Sequence, residues 1–339
     1  MLHCQRLIAA ATLSLAIVAP IDLTRAADLP SKHTKAVSFL DTPFFSLIDN
    51  RLTYAYEFSS ISPGNVATGG KQILAFTHFD AWAYGTNVVN ILMGKASAND
   101  PAAPCKLPGQ GCGGSMEFGA TIKSTLGFNQ IFNTSAFSIG PMRNVSLAVG
   151  AGEGIKNTTS GIDRKYLTAG LQFAFDLPYK GYFNVTPQFY KGWQYTGSYT
   201  SAVLGPAYPG APNGWLDYNG TWSIDMNYYM DLGFLPETIP LAVSGRFTWI
   251  GPLATGLSPG VLPASILAPT KIELVSEPIR LTLDASKVLW GPKYSHFADI
   301  WVAYKYRLNT LGLDNENSPA CARNSCRISS LYSGISIKF

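Results

Sequence analysis

Twelve stretches of this chain alternate apolar and polar residues with a period of two, and Gly-, Pro- and Asn-rich segments separate them. The last stretch shows the pattern: Leu331, Ser333, Ile335, Ile337 and Phe339 share one side, and Tyr332, Gly334, Ser336 and Lys338 share the other. A helix needs apolar residues three and four apart, so this periodicity commits the chain to sheet. Strands greasy on one face build either a soluble sandwich or a closed barrel, and the rest of the sequence bears on that choice.

The N-terminus has one basic residue, Arg6, then an apolar run from Leu7 to Ala19, then small residues at Ala26 and Ala27. This is the layout of a secretory signal peptide, and the run is too short to cross a bilayer as a helix. We therefore expect a signal peptide over residues 1–26, an N-terminal leader over 27–46 and a barrel over 47–339. Beyond the leader no apolar run reaches the roughly 18 residues of a spanning helix. If the mature chain enters a membrane, it must do so as a closed barrel, because an open sheet edge leaves amides unsatisfied in lipid.

Charged residues make up 14% of the chain and aromatic residues 12%; a soluble domain has about 25% charged. A lipid-facing wall with aromatic girdles thins charge and raises Tyr, Trp and Phe in this way. The net charge of +4 carries no block of like sign, so nucleic acid is not an expected partner. Cys4 leaves with the signal peptide, and the others form two close pairs, Cys105 with Cys112 and Cys321 with Cys326. In an exported protein these read as two loop disulfides, although three connectivities are formally possible. A zinc site fits poorly, since neither spacing suits a zinc knuckle and no His lies nearby.

The predicted strands run Leu47–Phe58, Lys71–Trp82, Asn87–Gly94, Met116–Leu126, Val145–Val149, Leu167–Phe175, Tyr182–Tyr190, Thr221–Met230, Leu241–Ile250, Lys271–Asp284, Asp299–Arg307 and Leu331–Phe339. Within Lys271–Asp284, Ile272 and Leu274 are out of phase with Ile279, Leu281 and Leu283, so a bulge is expected at Pro278. Most connections on one side are short, and those on the other are long and carry both cysteine pairs. Outer-membrane barrels show this asymmetry. The fold class expected is thus all-β, a twelve-stranded antiparallel transmembrane β-barrel in a bacterial outer membrane, closed by pairing the last strand with Leu47–Phe58.

The stretch LAFTHFDAWAYGTNVVNIL at Leu74–Leu92, the segment FAFDLPYKGYFNVTPQFYKGW at Phe173–Trp193 and the terminal Phe339 resemble the nucleoside-specific channel-forming outer-membrane proteins of the Tsx type. The chain departs from that family's pattern with Asn90, where an acid is frequent, and with its cysteine-bearing loops. The resemblance implies a monomeric twelve-stranded barrel, without cofactor or metal, that passes nucleosides or similar small solutes by diffusion.

Polar faces of barrel strands line the lumen. The phases above turn Glu57, His78, Asp80, Glu117, Lys123, Asp225, Arg246, Glu273, Arg280, Lys305 and Arg307 inward, a mixture of signs that predicts an internal ladder of charge pairs. A nucleoside offers a flat base and a polyhydroxyl sugar, so a selective path needs rings beside hydrogen-bonding groups. Phe76, Tyr190, Tyr229, Trp301 and Tyr332 are the expected stacking residues, with His78, Asp80, Asn90, Asp225 and Arg307 as polar contacts. A barrel phospholipase would need an outward His beside Ser and Asn or Asp. With His33 in the leader, His78 reading inward and His296 at the periplasmic end, no enzyme is expected. A non-conducting barrel that presents its loops for recognition or adhesion is the alternative function.

Overall fold

A computed structural model describes residues 44–158, 162–195, 215–254 and 270–339. The expected signal peptide, His33 and most of the leader lie outside the described residues. The strands are β1 (Phe45–Ser60), β2 (Gly69–Trp82), β3 (Gly85–Ala96), β4 (Met116–Gly127), β5 (Met142–Lys156), β6 (Ile162–Leu177) and β7 (Gly181–Tyr195). They continue as β8 (Trp215–Asp217), β9 (Thr221–Asp231), β10 (Leu241–Ile250), β11 (Glu273–Asp284), β12 (Ala298–Leu308) and β13 (Ile328–Lys338).

Twelve of these form an antiparallel wall that closes on itself, with β13 hydrogen-bonded to β1 and β6 to β7. The closing seam runs from Arg51 opposite Lys338 to Glu57 opposite Tyr332, so the terminal strand pairs where its alternation predicts. The short β8 pairs with β7 alone and extends that strand beyond the wall. At Pro278 the β11 register slips between Ser276 and Ile279, as the phase change predicts. The Tyr228 hydroxyl donates to the Pro278 carbonyl at 2.8 Å and so satisfies an acceptor at the bulge.

The two faces of the wall have opposite chemistry. Leu52, Tyr54, Phe58, Leu167, Phe189, Ile300 and Leu331 point outward and are each 45% or more exposed. Glu57, Arg280 and Asp299 point inward and are 1% or less exposed. Water would tolerate neither an apolar belt of this extent nor a core of charges; lipid outside and polar company inside account for both.

Parity on β2 departs from expectation. Lys71, Ile73, Ala75, Thr77 and Phe79 face the lumen, whereas Phe76, His78 and Asp80 stand on the opposite face. The register decides this: Leu52 of β1 sits opposite Phe76 and Asn50 opposite His78, and paired residues share a face. Both alternations of β2 contain apolar residues, and the lumen takes the smaller set because Ile73 and Ala75 pack with Ala55, Leu92 and Trp301. Phe76 instead meets the ring of Phe339 with centroids 6.3 Å apart.

Turns at one end include α1 (Phe128–Ile131) and α2 (Ala285–Trp290), the latter capped by Asp284 accepting from the Lys287 amide. The opposite end carries the long loops. Disulfides Cys105–Cys112 and Cys321–Cys326 both form there, with Cα atoms 5.9 and 5.0 Å apart. The β1–β2 and β3–β4 loops are clamped through the carboxylate of Asp100, which accepts from Ser62 at 3.1 Å, Asn65 at 2.6 Å and the Lys156 ammonium.

Burial pushes the Asp100 carboxyl up, but Lys156 and Asn65 outweigh it and hold the group below its ordinary value. Such a group contributes stability above its unfolded pKa, and that stability is lost as pH falls through the folded one. The clamp should therefore hold at pH 5 and loosen below about pH 4. Hydrogen exchange of residues 61–68 and 97–115 would show this. Equal protection at pH 3 and pH 6, after correction for intrinsic rates, would refute it.

Candidate functional site

The lumen is the site, and alternation on every strand supplies its side chains. At the turn end, Arg51 donates to Asp49 at 2.8 Å and to Asp299 at 2.7 Å, while Lys338 reaches Asp49 at 2.7 Å. Above this, Asp225 collects Lys123 at 2.9 Å, Thr248 at 2.8 Å and Arg246 at 3.2 Å. Toward the loop end, Lys71 holds Glu117 at 3.0 Å, Lys305 holds Glu57 at 2.8 Å and Arg164 holds Glu273 at 2.6 Å.

Two of these pairs cross the interior. Lys123 on β4 and Asp225 on β9 have three wall strands between them, as do Arg164 on β6 and Glu273 on β11. These chords span a third of the wall's circuit and narrow the lumen. Below them a cavity of about 100 Å³ opens among Phe79, Val88, Lys123, Arg143, Tyr182 and Asn227 near the turn end.

Aromatic rings line the same space in pairs. Tyr166 stacks on Tyr190 with centroids 5.4 Å apart, and Tyr182 on Tyr229 at 6.1 Å. Trp301 meets Tyr332 edge-on at 5.0 Å, and the Arg280 guanidinium lies 4.0 Å above the Trp301 ring. Trp301 donates through Nε1 to Ser336 at 3.0 Å.

Seven of the ten expected solute contacts therefore face the lumen: Asn90, Tyr190, Asp225, Tyr229, Trp301, Arg307 and Tyr332. Asn90 accepts from Thr77 at 3.0 Å across the β2–β3 pair. Phe76, His78 and Asp80 do not join them. Arg164, Lys71 and Tyr166 are lumen residues absent from the expected set. Extending the alternation of Thr168, Gly170 and Gln172 back by two and four positions reaches Tyr166 and Arg164, so the signal lay just before the predicted start of the Leu167–Phe175 strand. Lys71 belongs to the β2 face taken as outward.

On the outer surface Asn50, His78, Asp80, Asn87 and Ser124 form one hydrogen-bonded chain across β1 to β4. His78 Nδ1 meets Asn50 at 2.7 Å and Nε2 meets Asp80 at 3.1 Å; Asn87 donates to Asp80 at 2.8 Å, and Ser124 to Asn87 at 2.7 Å. The outward position of His78 revives the geometry a barrel phospholipase needs. Both ring nitrogens are engaged by Asn50 and Asp80, however, and the Ser124 hydroxyl stands three hydrogen bonds away, so His78 activates no nucleophile in this chain.

Asp284, His296 and Asp299 are close enough together to hold a metal ion. Their oxygens are already used: Asp284 takes the Ser295 hydroxyl and the Lys287 and His296 amides, and Asp299 takes Arg51. The Arg51 guanidinium already supplies Asp299 with a positive partner.

A closed antiparallel wall, an apolar exterior and a charged interior define a transmembrane barrel of the bacterial outer membrane. No family model matches the chain, and no curated protein matches it. Among solved structures it is similar to the translocator domain of the autotransporter NalP from Neisseria meningitidis, at 10% identity over 86% of this chain and 88% of that one, with a TM-score of 0.41. It is also similar to the beta domain of the Bordetella autotransporter BrkA, at 10% identity over 86% of this chain and 99% of that one, TM-score 0.36. The outer membrane protein OpdK of Pseudomonas aeruginosa matches at 11% identity over 86% and 98%, TM-score 0.34.

The lumen packing makes a direct test of the fold at one glycine. A Cβ on Gly334 would lie 2.5 Å from Trp301 Cζ2, 2.7 Å from the Tyr54 carbonyl and 2.9 Å from Ala55 Cβ. Gly334→Val should cost about 1–3 kcal/mol through overpacking at the closing seam. The expected readout is a lowered temperature for loss of the folded band in gel samples heated stepwise before loading; an unchanged temperature would show that Trp301 does not pack there.

Proposed function

We propose that the protein is a monomeric outer-membrane channel for small polar solutes, with nucleosides as the favoured class. What carries the channel reading is the interior: inward positions hold charged, hydroxyl and amide groups on most strands, beside an apolar patch at Ile73, Ala75 and Leu92, and a cavity lies among inward residues near the turn end. A barrel that needed only to fill its centre would do so at lower cost with apolar side chains, because buried ion pairs seldom outdo a hydrophobic core in stability. Polar groups suit a path that water and solutes enter. The nucleoside preference rests on the luminal pairs Tyr166–Tyr190 and Tyr182–Tyr229 beside Asp225 and Asn227, rings and hydrogen-bonding groups of the kind a base and a ribose would use.

The second reading is a non-conducting barrel that presents its outer loops. Two observations favour it: the chords Lys123–Asp225 and Arg164–Glu273 close the interior, and the outer loops are disulfide-clipped and joined by Arg323 donating to the Val66 carbonyl at 3.3 Å.

Solute entry into proteoliposomes separates the two. Wild-type protein should admit nucleosides faster than sugars of similar size. Removing both partners of one chord, Arg164→Ala with Glu273→Ala, should raise entry of all solutes several-fold while keeping the barrel folded, since neither partner of the pair is left behind without the other. Tyr190→Ala should reduce the nucleoside preference. Absence of entry for wild type and chord variant alike would retire the channel; entry without preference would retire only the nucleoside assignment.

A further inference from the structure

One inward cation has no ion-pair partner among the described residues. Arg307 on β12 is 2% exposed, and its side chain makes no hydrogen bond or ion pair to any described residue. The charges that bear on it are Glu273, Glu117, Glu57 and Arg164. Each of the three carboxylates already holds another cation: Glu273 holds Arg164 at 2.6 Å, Glu117 holds Lys71 at 3.0 Å and Glu57 holds Lys305 at 2.8 Å. Four cations thus share three carboxylates, and Arg307 is the one left over. Arg164 in turn keeps its Nη2 without a partner while Nη1 and Nε are bound to Glu273 and Tyr190.

A buried guanidinium with its charge uncompensated is among the costlier features a fold can carry. Water can satisfy N–H groups there but cannot neutralise the charge. We propose that Arg307, with the free edge of Arg164, forms a luminal binding site for a small organic carboxylate. A planar carboxylate matches the guanidinium fork, whereas a neutral solute leaves the charge in place.

The wall beside the site narrows the class. Val275 lies opposite Arg307 in the β11–β12 register, and it packs against a buried cluster of Tyr190, Leu216, Tyr218, Ile250 and Leu253. Arg164 donates to the Tyr190 hydroxyl at 3.0 Å, which joins that cluster to the cationic edge. The site therefore suits a carboxylate with an apolar or aromatic body. It requires only the lumen geometry, and it stands whether or not solutes pass through.

The test uses the full-length barrel in detergent, with benzoate as probe and benzamide as its uncharged counterpart, followed by isothermal titration calorimetry. Benzoate should bind once per barrel and at least tenfold more tightly than benzamide. Arg307→Gln should weaken benzoate at least tenfold, and Arg307→Lys should restore part of that loss. Because Arg307→Gln removes an uncompensated charge, its folded band should survive heating at least as well as wild type; a clear loss of thermal stability would mean that Arg307 has a structural partner and would overturn the proposal. Equal binding of benzoate and benzamide, unchanged binding in Arg307→Gln, or displacement of benzoate by chloride at equal concentration would each overturn it too. Benzoate binding without solute entry would retire the channel and leave this site, and the reverse result would do the opposite.

Discussion

Every peptide group of a strand in lipid needs a hydrogen-bond partner on a neighbouring strand, and a sheet meets that demand all round only by closing. Here the demand falls on the seam between β1 and β13, where seven consecutive residues from Arg51 to Glu57 find partners. Once the seam is made, each residue of the wall has two fates, lipid or lumen, and neighbours across strands share the same one. The apolar belt, the charged interior and the grouping of loops at one end all follow from that binary choice.

Closure also creates the problem the interior must solve. Twelve strands enclose a space in which inward side chains from opposite walls come within reach. Charges placed there lose water and have to find each other. Lys123–Asp225 and Arg164–Glu273 are the outcome, bonds whose partners lie 102 and 109 residues apart in sequence. They brace the barrel across its lumen, and the same brace narrows that lumen. Removing one partner leaves a buried charge, at about 3–5 kcal/mol, whereas removing both does not. Rigidity and lumen width are therefore set by the same atoms.

The wall was legible in the sequence because a period of two needs no knowledge of tertiary structure. Each predicted strand corresponds to a strand of the wall, and even the Pro278 bulge showed as a phase change. Charge was a sound guide to parity on β4, β9 and β12, where Glu117, Asp225 and Lys305 stand opposite largely apolar faces. It failed on β2, because His78 and Asp80 there lie on the lipid face while Ile73, Ala75 and Phe79 fill the lumen. A single strand cannot reveal that exchange; the register with Arg51 and Thr53 of β1 does. Which cation meets which carboxylate was not legible either, since a chord depends on how the strands tilt and stagger around the barrel.

Two places break the rule of apolar outside and neutral inside, and their different treatment is informative. The Asn50–His78–Asp80–Asn87–Ser124 chain puts polar groups on the outer face, but each link gives its neighbour a partner, and Trp82, packed against Phe44 and Tyr84, marks the nearby end of the wall where aromatic rings gather. Saturated in this way, the chain sits at the margin of the belt with little left for a ligand to satisfy. Arg307 is the opposite case: its position conforms to the rule, its charge faces the lumen, and yet the carboxylates around it are bound elsewhere. Position alone would have ranked the outer chain as the anomaly; satisfaction of charge ranks Arg307. Among the described residues the other inward lysines and arginines each hold a carboxylate, and Arg307 is where the fold leaves room for chemistry from outside.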